Sequence, residues 1–138
     1  NLCSNDYILV LSGHTQIIDL NFDLIKSHLE NHVAVFGKQI PVFRGKKISP
    51  GYIWTNFSDK KEINRFSKDE NRLFLHNAFC FYKRETLIKY PMPEKYSGKE
   101  DRYWAKEMVS NGFSFLYDPC LKCYHFWTKN GATWKGLI

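Results

Sequence analysis

Asp6-Tyr7-Ile8-Leu9-Val10-Leu11 and Val33-Ala34-Val35-Phe36-Gly37 are the two stretches that decide the fold class. Each is a short apolar run rich in β-branched and aromatic residues. That is the pattern of a strand buried on both faces, as in a mainly parallel sheet. Between them Leu20, Leu24, Ile25 and Leu29 recur at helical spacing over residues 20 to 31, and Asn31 and His32 close the helix. Strand, helix, strand predicts an α/β layer architecture.

Further along, residues 38 to 58 carry Gly, Pro and basic residues without a period and read as a long loop. Residues 59 to 68 read as a short charged helix or a continuation of that loop. Asn77 to Tyr82 predicts a strand, and Arg84 to Lys89 a short helix halted by Pro91 and Pro93. Gly98 precedes a helix over 99 to 110 with Tyr103, Trp104, Met108 and Val109 on one face, stopped by Asn111-Gly112. Phe113 to Tyr117 predicts a strand, Asp118-Pro119 a turn, and Leu121 to Trp127 a last strand. There is no internal repeat and no low-complexity segment.

The 138 residues suit one domain, residues 1–138, and 43% apolar with 17% aromatic content belongs to a chain that folds. The formal charge of +6 favours anionic partners such as phosphorylated ligands or lipid headgroups. The densest basic group, Lys38, Arg44, Lys46 and Lys47, lies near Gly45, Pro50 and Gly51 and reads as a solvated loop. No zinc-finger or RNP signature accompanies it, so no nucleic-acid partner is expected. Cys120-x-x-Cys123 with His125 is half a zinc site at most, because the usual second ligand pair is missing. With Cys3 and Cys80 the thiols read as reduced and structural, as in a cytoplasmic protein. No apolar run reaches transmembrane length, and the sequon Asn56-Phe57-Ser58 matters only in a secretory compartment.

Chemistry concentrates at Glu100-Asp101. Two carboxylates in the first turn of an amphipathic helix sit where free N–H groups and the helix dipole favour negative charge. A carboxylate on so rigid a mount suits a general base. Acidic residues are equally favoured at helix starts for stability alone. His14 and His125 each lie at or just past the end of an apolar strand, where α/β sheets place their ligand sites, and an imidazole can ligate a metal or face a phosphate. Ser12-Gly13-His14-Thr15 also reads as a plain polar turn or helix cap. No nucleophile elbow, Gly-rich phosphate loop or H-E-x-x-H is present.

In this order the elements resemble family 2 glycosyltransferases of the GT-A fold, especially the bacterial branch of rhamnosyl- and related polysaccharide transferases. Asp6 to Leu11 resembles the strand that leads into that family's metal-binding Asp-x-Asp, whose place Ser12-Gly13-His14 takes. Val35-Phe36-Gly37-Lys38-Gln39-Ile40-Pro41 resembles the branch's strand and Gly-basic-Gln turn. Asn77-Ala78-Phe79-Cys80-Phe81-Tyr82 resembles its acceptor-side stretch, and Glu100-Asp101-Arg102-Tyr103-Trp104-Ala105 its Glu-Asp motif. Gly112 to Tyr117 and Tyr124-His125 resemble its closing strands.

The resemblance implies a partial GT-A domain, with most of the nucleotide-binding half absent before Asn1. It implies inverting transfer of a sugar from a nucleotide-diphosphate donor to a saccharide or lipid-linked saccharide acceptor, in surface polysaccharide synthesis. Asp101 would be the base and Glu100 its neighbour; Trp104, Asn77, Phe79 and Gln39 would contact substrate. His125 and His14 would hold a divalent metal, manganese in preference to magnesium because imidazole replaces carboxylate. A cytoplasmic protein at the inner membrane face, with a sheet edge open to a second copy, completes this expectation. The alternative is a non-catalytic carbohydrate-binding or interaction domain on the same scaffold.

Overall fold

The computed structural model describes residues 3–47 and 52–134. Its centre is a curled mixed sheet in the order β1-β8-β3-β9-β2, flanked by helices. The strands are β1 (Tyr7–Leu11), β2 (Thr15–Asp19), β3 (Ala34–Phe43), β8 (Phe79–Lys83) and β9 (Phe115–Phe126). Short strands β4 (Lys46–Lys47) and β5 (Glu62–Ile63) pair with β3 and β9, and β6 (Phe66–Ser67) forms a separate hairpin with β7 (Arg72–Leu73). Pro50 and Gly51 of the basic loop lie outside the described residues.

The parallel pair expected from the two apolar runs is not β1 with β3. It is β3 with β9, while β1 runs antiparallel to β8. Nor is β1 buried on both faces: Tyr7, Leu9 and Leu11 are exposed on alternate positions, and among the described residues no strand lies beyond it. An apolar run identifies a strand but not its place in the sheet, and an edge strand needs only one covered face. Strand β2 occupies residues that the sequence reading left between turn and helix, and α1 (Phe22–Asn31) begins where Asn21 Oδ1 accepts the Leu24 N–H at 3.0 Å.

Two helices cover opposite faces. Ile25 and Leu29 of α1 pack with Val35, Phe79, Phe81, Leu116, Leu121 and Cys123. On the other face Trp104, Ala105 and Met108 of α3 (Glu100–Ser110) pack with Phe36, Cys80, Tyr82, Phe115 and Tyr117. The period-2 alternation of β8 divides its own side chains between these cores, Phe79 and Phe81 to one, Cys80 and Tyr82 to the other. Helix α3 ends as its Asn111-Gly112 pair predicts. Gly112 takes φ +82°, its N–H bonds to the Val109 carbonyl, and the Phe113 N–H reaches the Met108 carbonyl. Short helix α2 (Arg84–Lys89) matches its predicted bounds.

Two further expectations are corrected, of which the first is the long loop over 38 to 58: β3 runs on as far as Phe43, with Lys38 to Val42 paired to β9. Of the two readings of residues 59 to 68 the non-helical one holds: Asn64 adopts φ +49°, and its backbone N–H and side-chain Oδ1 both bond Phe115, so the segment is laid along the sheet. The second correction is that Asp118-Pro119 does not separate two strands. Strand β9 is continuous, and Pro119 and its neighbours form an irregularity opposite the Gly37/Lys38 step of β3, where a residue without an N–H is tolerated. There a Cβ on Gly37 would lie 2.6 Å from both the Leu121 carbonyl oxygen and the Phe79 ring, so only glycine fits. Among the described residues no helix is long and apolar enough to cross a membrane.

Candidate active site

Helix α3 delivers Asp101 to the end of β8. Asp101 Oδ2 accepts the backbone N–H of Asn77 at 3.2 Å, and Oδ1 accepts that of Arg102 at 2.7 Å. Both oxygens are thereby oriented, with lone pairs left over for a further donor. Asn77 is itself held, its side chain accepting from the Tyr82 hydroxyl and donating to Met92 Sδ. It positions Asp101 through its backbone, and its side chain keeps one N–H and one oxygen lone pair. Glu100 is partly buried, and its Oε2 is enclosed without a hydrogen-bond partner.

A cavity of about 70 Å³ opens beside Asp101, walled by Glu70, Arg72, His76 and Arg102 among others. Glu70 is shared by two guanidinium groups, at 3.0 Å from Arg72 and 3.8 Å from Arg102. His76 connects this cavity to the other candidate residues. Its Nδ1 accepts from Gln39 Nε2 at 3.0 Å and from the Ala78 N–H at 3.3 Å, which leaves the ring proton on Nε2. Burial holds the His76 pKa below its ordinary value, so the ring is neutral at neutral pH.

The Gln39 oxygen then accepts from His125 Nδ1 at 2.7 Å. One amide thus bridges two imidazoles, and Gln39, only 1% exposed, is a strut between them. His125 is fully enclosed, with the Trp54 ring at 5.1 Å and the His14 ring at 4.6 Å. Burial, with His76 and His14 adding, lowers its pKa to about 3. With Nδ1 donating, its Nε2 carries a lone pair and finds no donor in the protein. An unsatisfied buried acceptor costs about 1–3 kcal/mol.

Hydrogen bonds thus join His76, Gln39 and His125, the His14 ring lies against His125, and Asp101 shares its cavity with His76. The other expected contacts lie elsewhere. Trp104 is fully buried, donates Nε1–H to the Tyr90 carbonyl at 2.7 Å and packs against Tyr82. Phe79 is fully buried on the α1 side, across the sheet from Asp101. Both rings are core.

His14 and His125 offer two imidazoles and no carboxylate, and among the described residues no group of three His, Cys, Asp or Glu side chains is placed to hold a metal ion. The orphaned His125 Nε2 is the kind of atom a metal uses, but the donor set around it is incomplete. The residues present do not fit the expected divalent-metal centre, and no step is routed through one below. A neutral His125 also has no proton to give a phosphate, since Nδ1–H is already used by Gln39.

Sequence reading missed His76, although it directly precedes Asn77, because a single histidine before a strand carries no pattern. It missed Glu70, Arg72 and Arg102 as well, since charged residues in a hairpin and on a helix look like ordinary solvated surface. No protein-family model and no curated protein matches this chain.

Proposed function

We propose that this chain supplies the general base and the acceptor side of an inverting sugar transferase of the GT-A, family 2 type. The observation that carries the reading is the grouping of Asp101, His76, Gln39 and His125. It puts a doubly oriented carboxylate and two imidazoles bridged by one amide near a cavity lined by two guanidinium groups. The mixed α/β architecture is compatible with it.

In the reaction the acceptor hydroxyl gives its proton to an Asp101 oxygen. Its own oxygen attacks the anomeric carbon, and the bond from that carbon to the nucleotide diphosphate breaks, the diphosphate leaving with the electron pair. Asn77 and Arg102 N–H groups hold the base; the Arg72 and Arg102 side chains stabilise negative charge gathering at the cavity wall. The cavity beside Asp101, about 70 Å³, has room for a few waters and lies far below the roughly 300 Å³ of a small ligand pocket. Only the reacting hydroxyl enters it, and the saccharide body lies outside.

Incubation of the intact protein with a panel of nucleotide-diphosphate sugars and saccharide acceptors tests this reading, with product configuration read by NMR. The expected product has inverted anomeric configuration. A retained configuration, or no transfer from any donor, contradicts the reading.

One observation favours a second reading, a carbohydrate-binding domain without catalysis. The cavity at Asp101, about 70 Å³, is too small for a sugar ring. Under that reading saccharide binds and Asp101→Asn changes nothing.

A further inference from the structure

Next to the Asp101 cavity runs a groove of about 480 Å³ between the β6–β7 hairpin and the outer face of α3. Glu70, Arg72 and Arg102 line both spaces, so they are a common wall. The groove side adds Lys106 and two aromatic rings with solvent access, Phe66 at 49% and Tyr103 at 39% exposed. Tyr103 is fixed by a stacked contact with Tyr96, ring centroids 3.7 Å apart.

The charge balance of the groove is uneven. Three cations face one carboxylate, and that carboxylate already serves two of them, which leaves an excess of positive charge. The Nε–H groups of Arg72 and Arg102 are enclosed and bond to no protein acceptor. Burial pulls the Arg72 pKa below its ordinary value, with Arg102 adding to it, although Glu70 and Asp101 act the other way. Guanidinium forks take carboxylate or phosphate oxygens in bidentate pairs. Exposed aromatic rings flanking such forks fit the apolar C–H faces of a sugar.

We infer that the groove is an acceptor subsite for an acidic saccharide chain, with Phe66 and Tyr103 against its sugar faces and Arg72, Arg102 and Lys106 against its carboxylate or phosphate groups. It rests on the proposed transfer reading and names that reaction's acceptor as anionic. The shared wall then has a purpose. An acidic residue held by Arg102 in the groove leaves the next hydroxyl directed over the wall towards Asp101.

Isothermal titration of the intact protein with galacturonic acid trisaccharide, the neutral galactose trisaccharide and the galactose trisaccharide 6-phosphate tests the inference. One or both acidic probes bind at least about tenfold more tightly than the neutral one, the effect of losing a charge-assisted hydrogen bond. Which acidic probe is preferred tells carboxylate from phosphate recognition. Lys106→Gln and Phe66→Ser, both at exposed positions that do not threaten folding, each weaken that binding, and Arg102→Gln weakens it most. Equal binding of the neutral trisaccharide, or unchanged affinity in all three variants, overturns the inference. So does tighter binding of inorganic phosphate or of a single-stranded dT oligonucleotide. Asp101→Asn leaves this binding unchanged; selective binding of an acidic probe without any transfer by the wild-type protein overturns the transfer reading, and transfer without selective acidic binding overturns the groove inference alone.

Discussion

The backbone N–H of Asn77 points at Oδ2 of Asp101 from 3.2 Å, which ties the first turn of α3 to the residue two places before β8. The contact spans 24 residues of chain, including α2 and two prolines. Helix and strand therefore cannot shift independently, and the carboxylate keeps its height above the sheet.

Gln39 holds two imidazoles, the fully buried His125 and the partly buried His76, through opposite ends of one amide. Gln39→Leu keeps the volume and removes both bonds, leaving His125 Nδ1 without a partner and His76 Nδ1 with the Ala78 N–H alone. A loss of about 1–3 kcal/mol is expected, the cost of the one group left unsatisfied. Urea unfolding checks it, and Gln39→Glu fares no better, because its second oxygen faces an acceptor.

Gly37 is required by space and not by its φ angle. A methyl group there meets a strand carbonyl and the Phe79 ring at 2.6 Å. Gly37→Ala is expected to cost about 1–3 kcal/mol through overpacking and to lower the melting temperature by several degrees. The double variant Gly37→Ala, Phe79→Leu tests the mechanism by recovering part of that loss.

Much of the fold was legible because it is written in local patterns. The Asn111-Gly112 stop, the Pro91 and Pro93 limits of α2 and the apolar runs of β3 and β8 all behave as their chemistry dictates. The position of β1 was not legible, since an edge strand and a central strand can share one apolar sequence. At the site, Asp101 was singled out by its helix start and His125 by its strand. Their connection was not, because it passes through His76 and Gln39, which are 37 residues apart in sequence and meet only when β3 and the start of β8 pack together.

Acid weakens the fold through His125. Its pKa lies near 3 in the folded protein against 6.5 ordinarily, so below pH 6.5 the unfolded chain binds a proton that the folded one refuses. Stability from this group is present above about pH 6.5 and falls as pH drops towards 3, by at most about 5 kcal/mol from a shift of this size. Guanidinium unfolding at pH 7 and pH 5 measures it. His125→Phe flattens the difference between the two pH values; an unchanged difference in that variant contradicts the assignment.

Phe66 and Lys106 separate acceptor handling from chemistry. In a transfer assay, Lys106→Gln raises the KM for an acidic acceptor by about tenfold with kcat close to wild type, the signature of binding lost equally in ground and transition states. A matching fall in kcat, seen in initial-rate kinetics, would place Lys106 at the reacting centre instead.

The most direct test of the account is single-turnover sugar transfer by Asp101→Asn in the intact protein, run beside nucleotide affinity on the same sample. Loss of the base removes about 10²–10⁴ in rate, while the affinity for the nucleotide stays within twofold or so of wild type. Transfer at an undiminished rate by a correctly folded Asp101→Asn protein would contradict the account, and the groove beside α3 would then belong to a binding domain.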